Sequence, residues 1–302
     1  LAAIDNYKRA LNIQSDFNPA WNNLIYPMQT IKSQTSSIDK HLSSLGERVN
    51  CNYSKIIKSI LGYRLNQGSP SSNDSLNEAL KMVSSAENTF IKNPKIPTAE
   101  LIKKPTTKKV SAMVHFGRSG TGLLHSLIDG HSEVSTLPSI FFSEFFDHFT
   151  WEKIIAGGWE EMADRFTRIY AVLFDASSPV KILTKANKFI HNIGKKEGLA
   201  NVGIKKNEVL SLDKKKFVKE LKQLMNCYDR LDAFTFFKLI HSAYENVLQN
   251  HNEKKIIFYH IHNPGPYAQL NFLRLAPNTN WLMMVREPLQ SCESWIKKDF
   301  YK

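Results

Sequence analysis

A glycine-rich turn follows an apolar segment of the chain and could bind an anion. Residues 110–116 read VSAMVHF, which predicts a buried strand, and GRSGTG at 117–122 leads into the helical pattern LLHSLIDGH. Gly117, Gly120 and Gly122 permit a tight turn and a close approach of ligand to backbone. The amino end of the next helix presents N–H groups and a partial positive charge, which favours phosphate or sulfate.

The polar residues of the turn have the types that anion binding uses. Arg118 would add a cation, and Ser119 and Thr121 would add hydroxyl donors. The turn is not a Walker A loop, because the spacing GxxxxGK[ST] is missing and no lysine precedes Thr121. The alternative is an ordinary glycine-containing turn between a strand and a helix.

A second candidate anion site lies near the end of the given sequence. The predicted strand WLMMV is followed by Arg286, and Ser294 comes eight residues later on a predicted helix. Open α/β sheets bind ligands at the carboxyl ends of their strands, and eight residues span about two helical turns. Both side chains could therefore reach one anion. A surface arginine and an unrelated helical serine are the alternative.

The elements that must position these residues form an α/β pattern. Apolar runs predict strands at 110–116, 255–262 and 281–285, and helices are predicted at 140–175, 213–250 and 267–275. A strand, a helix and a strand in that order imply a parallel pair with a crossover. Phenylalanine-rich stretches at 140–149 and 233–239 are expected in the core, whereas Asp147 is expected to be solvated.

Two domains are predicted, an all-α region at 1–105 and an α/β domain at 106–302. Prolines at 94, 97 and 105, with lysines at 103, 104, 108 and 109, predict the linker between them. Residues 1–24 resemble the second helix of a tetratricopeptide repeat running into another repeat, and an ordinary helix-turn-helix is the alternative. Because the sequence begins and ends within helical patterns, we expect it to be a fragment that is truncated at its carboxyl end.

Taken together, the two anion-site motifs resemble those of the PAPS-dependent sulfotransferases. HFGRSGTGLLHSLIDGHSEV resembles the family's 5′-phosphosulfate loop, and WLMMVREPLQSCESW resembles its 3′-phosphate motif. The resemblance implies a three-layer αβα domain with a parallel central sheet and a P-loop-like phosphosulfate loop. Tetratricopeptide repeats before such a domain are a known arrangement.

The resemblance also implies an activity and a role for each motif residue. The reaction would be in-line transfer of a sulfuryl group from PAPS to a hydroxyl or amine of a peptide, saccharide or small molecule. Residues Gly117, Arg118, Ser119, Gly120, Thr121 and Gly122 would hold the 5′-phosphosulfate, with Arg118 stabilising charge on the leaving oxygen. Arg286 and Ser294 would hold the 3′-phosphate, and no metal would be required.

The general base is open. Glu144, before Phe145 and Phe146, is the closest match to the family's catalytic glutamate, although it lies a few residues later than usual. A carboxylate among four phenylalanines would have a pKa raised by desolvation, which suits a base. The alternatives are a solvated Glu144, and His262 or His115 as the base.

Composition limits the partners without identifying them. The chain has 302 residues and a formal charge of +12, which favours an anionic partner. Much of the excess lies between residues 181 and 222, where it is either a solvated surface or a guide for an acidic acceptor. Three scattered cysteines suggest no disulfide framework or metal site, and no apolar run is long enough to span a membrane. The lysine-rich runs lack a nucleic-acid-binding pattern, and a cytoplasmic location is expected.

Two other function classes are open at this point. One is a nucleotide-dependent kinase or NTPase, against which the missing Walker A lysine argues. The other is an interaction protein that binds a partner through helical repeats and carries an inactive sulfotransferase-like domain.

Overall fold

The computed structural model divides the chain into two compact units. One comprises Leu1–Thr89, Phe146–His148 and Gly265–Arg274, and the other comprises Phe90–Phe145, Phe149–Pro264 and Leu275–Lys302. The predicted domain boundary near residue 105 lies outside the described residues and stays a prediction. The structure describes residues 2–13, 17, 20, 23–24, 27–28, 52–86, 90–95, 109–114, 119–138, 140–177, 180–181, 189–190, 204–249, 254–261 and 265–299.

Helices and short strands alternate along the described chain. The α-helices are α1 (Ala2–Ile13), α2 (Asn52–Leu65), α3 (Pro70–Ala86), α4 (Thr121–Ile128), α5 (His148–Ile155), α6 (Met162–Ile169), α7 (Lys214–Met225), α8 (Ala233–Val247), α9 (Pro266–Leu275) and α10 (Pro288–Asp299). The 3₁₀ helices are Ile140–Phe146, Trp159–Glu161 and Ala171–Leu173. The strands are β1 (Ile91–Lys92), β2 (Lys109–Val114), β3 (Val134–Ser135), β4 (Val180–Lys181), β5 (Phe189–Ile190), β6 (Arg230–Leu231), β7 (Ile256–Ile261) and β8 (Asn280–Met283).

The first unit contains an antiparallel helix pair. α2 and α3 are joined by a short turn in which Gly68 has a φ of +88°. A Cβ added at Gly62 on α2 would lie 3.3 Å from the Oγ of Ser75 on α3, so the two helices approach closely. The turn on which the tetratricopeptide interpretation depends lies mostly outside the described residues, and that interpretation stays a prediction.

The second unit is built around a four-stranded parallel sheet in the order β3-β7-β2-β8. The register pairs Val114 of β2 with Ile261 of β7 and with Met283 of β8, so these three strands end at the same level. The predicted parallel arrangement is therefore confirmed, with β2 lying between β7 and β8. β3, which has only two residues, was not predicted.

Helical segments contact both faces of this sheet. Alternate residues of a strand point to opposite faces, so Tyr259 and His260 of β7 lie on different sides. His125 of α4 contacts the ring of His260, with ring centroids 5.2 Å apart. On the other face, Phe237 of α8 and Phe142 of the first 3₁₀ helix contact Tyr259, at 5.1 Å and 6.3 Å. The structure is a mixed α/β fold that is compatible with three layers.

Helix α8 runs antiparallel to the strands of the sheet. Near its amino end Phe237 contacts Tyr259, close to the carboxyl end of β7. Near its carboxyl end Glu245 forms an ion pair with Lys254, which precedes β7, with Nζ and Oε2 3.7 Å apart. The amino end of α8 therefore lies at the carboxyl edge of the sheet.

The predicted helix over 213–250 is interrupted between α7 and α8. Residues Arg230 and Leu231 form β6, which pairs antiparallel with β1. Asp232 then caps α8, because its Oδ1 accepts a hydrogen bond from the N–H of Thr235 at 2.6 Å. The break separates two helices whose apolar faces pack against each other.

Aromatic side chains fill the core between the sheet and the helices on the Tyr259 face. The expectation that the phenylalanine-rich stretches are core is confirmed, since several of these rings have no more than 2% exposure. These are Phe142, Phe145, Phe236 and Phe237. Phe146, which belongs to the first unit, is fully buried against Phe272 there. The expectation for Asp147 is wrong. It is 4% exposed. The prediction assumed one continuous helix with Asp147 on its polar face, but Asp147 lies between a 3₁₀ helix and α5, so that helical face does not continue through it.

Candidate functional site

The glycine turn lies at the carboxyl end of the central strand β2. Gly120 precedes α4 with a φ of +93°, a left-handed conformation that favours glycine. Gly120 has no side chain to cap the helix, and Ser119 and Thr121 on either side of it are buried. Gly122 is exposed in the first turn of α4. The turn thus presents the amino end of a helix through backbone, as anion binding requires.

Two predicted residues of this turn, Gly117 and Arg118, lie outside the described residues, as does His115. The predicted base His262 also lies outside them, although it directly follows β7. Their roles stay predictions.

A histidine pair attaches α4 to the sheet. Nδ1 of His125 and Nδ1 of His260 are 3.0 Å apart, and the His125 and Phe258 rings pack edge to face with centroids 5.6 Å apart. Burial lowers the pKa of His125, and the charge of Asp129 opposes this shift. Asp129 in turn accepts a hydrogen bond from the Thr136 hydroxyl beyond β3. No sequence pattern indicates this pair, because the two histidines are 135 residues apart in the chain.

The second motif follows β8, as predicted. Arg286 is exposed and its Nε donates to Oε1 of Gln290 at 3.3 Å. Glu287 caps α10, because its carboxylate accepts from the N–H of Gln290 at 2.7 Å. Ser294 is half-buried within α10. The charge of Arg286 also helps lower the pKa of Glu293, for which the main cause is a hydrogen bond from Lys297.

The two motifs approach each other at the carboxyl edge of the sheet. A Cβ built on Gly120 would lie 3.5 Å from Cε of Met284, which is two residues before Arg286. β2 and β8 are neighbours, with Val114 opposite Met283. The sheet therefore brings together two segments that lie more than 160 residues apart in the chain.

Glu144 lies in a 3₁₀ helix on the opposite face of the sheet from α4. Its Oε2 atom is buried, and its neighbours Phe142 and Phe145 are in the aromatic core. Burial raises the pKa of the Tyr259 hydroxyl, and the charges of Tyr170 and Glu144 add to this shift. The Tyr259 hydroxyl donates to the carbonyl oxygen of Phe142 at 3.3 Å. Glu144 is thus partly buried near a strand that ends at the candidate site.

The lysines at the start of α7 lie far from this edge. Phe217 of α7 contacts Tyr244 near the carboxyl end of α8, with ring centroids 6.4 Å apart, and Asn246 donates to Glu220 at 3.3 Å. Since α8 begins at the carboxyl edge of the sheet, this end of α7 is at the opposite edge. Lys214, for example, is exposed there.

The part of the chain that the structure describes contains no group of three or more His, Cys, Asp or Glu side chains that could hold a metal ion. Within the same residues, no helix has both the length and the apolar character needed to cross a membrane.

The carboxyl edge of the sheet thus combines a glycine turn at a helix amino end with a nearby arginine segment. The partly buried carboxylate of Glu144 lies near Tyr259 of β7, on the opposite face of the sheet from α4. Such a site can hold an anionic group by backbone N–H groups and a guanidinium. Comparisons with protein-family models, curated proteins and solved structures found no match to the chain.

Proposed function

We propose that the protein is a PAPS-dependent sulfotransferase. The observation that supports this most strongly is the approach of the glycine turn to the segment that carries Arg286, with Gly120 and Met284 in contact range. According to the resemblance, the two motifs bind opposite ends of one nucleotide. A single nucleotide can reach both motifs only if they lie at the same edge of the sheet. The αβα layering, the P-loop-like turn and the tetratricopeptide-like amino-terminal region are part of the same proposal.

The residues present fit a nucleotide with two anionic ends. Gly120 has a positive φ and no Cβ, so it places no side chain of its own between the amino end of α4 and a phosphosulfate. Arg286 supplies a guanidinium at the end of the neighbouring strand, suited to a phosphate. When bound, PAPS would supply the sulfuryl group and an adenosine bisphosphate leaving group.

The protein's contribution is to position groups and stabilise charge. Ser119, Gly120, Thr121 and Gly122, with Gly117 and Arg118, would hold the phosphosulfate end, and the charge of Arg118 would oppose the negative charge that develops there. Arg286 and Ser294 would fix the 3′-phosphate and hence the orientation of the nucleotide.

Glu144 is the proposed general base, with His262 as the alternative. Its carboxylate would accept the proton of the acceptor hydroxyl as the oxygen attacks sulfur. Its Oε2 atom is buried, and its neighbours Phe142 and Phe145 lie in the aromatic core.

Isothermal titration calorimetry with adenosine 3′,5′-bisphosphate and with ATP tests the proposal. We expect the bisphosphate to bind and ATP to bind at least about tenfold more weakly, because ATP lacks the 3′-phosphate for Arg286. Tight binding of ATP without binding of the bisphosphate would instead support a kinase or NTPase. Binding of neither nucleotide would support a repeat-based interaction protein with an inactive domain.

A further inference from the structure

A lysine at the amino end of α8 lies on the same side of the sheet as Glu144. Lys238 is half-buried in the second turn of α8, and its Nζ lies 4.8 Å from the ring centroid of Phe234, one turn earlier. Helical side chains tilt towards the helix amino end. Because α8 begins at the carboxyl edge of the sheet, the ammonium group of Lys238 is presented towards that edge.

Ring contacts connect this lysine to the segment that carries Glu144. Phe234 stacks on Phe237 with centroids 6.3 Å apart, and Phe237 stacks on Phe142 at 5.5 Å. Glu144 follows Phe142 by two residues in the same 3₁₀ helix. The cation and the segment that carries the carboxylate therefore lie at the two ends of a stack of three rings, with Phe237 between them.

The ammonium group of Lys238 forms no ion pair with a carboxylate in the described part of the chain. The acidic residue whose charge acts on Lys238 is Asp232. Its carboxylate already caps α8 by accepting a hydrogen bond from the N–H of Thr235. Burial lowers the pKa of Lys238, and the charge of Asp232 opposes that shift. The contact with the Phe234 ring uses one side of the ammonium group, and its N–H donors can still bind an anion.

We propose that Lys238 binds an anionic group of the acceptor, so that the preferred acceptor is a hydroxyl compound that also carries a carboxylate or similar anion. This inference rests on the proposed function, since it assigns the acceptor hydroxyl to the Glu144 side of the sheet. Phe234 holds the lysine chain in place, and the ammonium group contacts the acceptor's anion.

The test compares a charged and a neutral phenol as acceptors. Binding of 3-(4-hydroxyphenyl)propionate and of its methyl ester is measured calorimetrically with the wild-type protein and with Lys238→Met, which keeps the apolar length of the side chain. We expect the wild-type protein to prefer the propionate, and Lys238→Met to weaken propionate binding about tenfold while leaving the ester unchanged. Lys238→Arg should restore most of the preference, and Lys215→Met on α7 should have no effect.

Equal weakening of both phenols would show that Lys238 only packs against Phe234, and would overturn the proposal. So would a wild-type protein that lacks any preference for the propionate. The phenols are titrated without sulfuryl transfer, so this result is independent of the bisphosphate titration. A failure of the bisphosphate to bind would overturn the proposed function instead.

Discussion

Gly120 and Gly122 of the turn should respond in opposite ways to alanine. Gly120 has a φ of +93°, and a residue with a Cβ pays about 1–2 kcal/mol in that conformation. The new Cβ would lie 3.5 Å from Met284, an ordinary van der Waals distance, so strain rather than a clash determines the cost. Gly122 lies within α4, and a Cβ added there would have no atom within 4 Å, so alanine at this position should gain about 0.5–1 kcal/mol.

Urea unfolding measures this difference directly. Gly120→Ala and Gly122→Ala should differ in unfolding free energy by about 2 kcal/mol, or about 1 M in midpoint for an m-value of about 2 kcal/mol/M. The fluorescence of the buried residues Trp151 and Trp159 reports on the unit that contains the turn. Equal midpoints for the two variants, or a Gly120→Ala protein as stable as the wild type, would refute the left-handed turn on which the anion site depends.

Three further predictions concern stability. Lys254→Met should lower the free energy of unfolding by about 3–5 kcal/mol, because it removes the buried lysine that pairs with the 9%-exposed side chain of Glu245. As a control, Lys255→Met, at an exposed ion pair, should lower it by at most about 1 kcal/mol. Similar urea midpoints for the two variants would contradict this. Burial lowers the pKa of His125 below its ordinary 6.5, so the unfolded chain binds more protons and stability should fall as pH drops below 6.5 towards the folded pKa. His125→Gln should flatten that slope in urea midpoints measured across pH, and an unchanged slope would count against the burial. Asp232→Ala should lower the free energy of unfolding by about 0.5–2 kcal/mol, because it removes the cap of α8. The helical circular dichroism signal should then be lost at a lower temperature than in the wild type, and an unchanged melting temperature would contradict the cap.

The sheet was predictable where strands are long and buried on both faces. Runs such as IIFYHIH are apolar at nearly every position, which is the pattern of a central parallel strand, and β7 is indeed buried from Ile257 to Ile261. β3 could not be predicted, because its two residues, Val134 and Ser135, are too few to show the alternating or apolar pattern of a strand. Their position is determined by pairing with β7, which is a tertiary effect.

The parts of the candidate site that depend on residues close together in the sequence were predictable. The glycine spacing of the turn and the strand end before Arg286 are visible in the sequence, and both lie at the ends of strands in the structure. The environment of Glu144 depends on Tyr259 and Tyr170, which come from distant segments. Lys238 belongs to a helix whose direction relative to the sheet follows only from packing, so no local pattern indicates that it faces the carboxyl edge.

The central claim is that one nucleotide bridges the glycine turn and the Arg286 segment. The most direct measurement is calorimetric titration of the wild-type protein and Arg286→Ala with adenosine 3′,5′-bisphosphate and with adenosine 5′-monophosphate, using Arg168→Ala on α6 as the control. We predict that Arg286→Ala weakens the bisphosphate at least about tenfold and leaves the monophosphate unchanged, because only the bisphosphate carries the phosphate that Arg286 would bind. Equal effects on both nucleotides, or no effect on either, would contradict the claim.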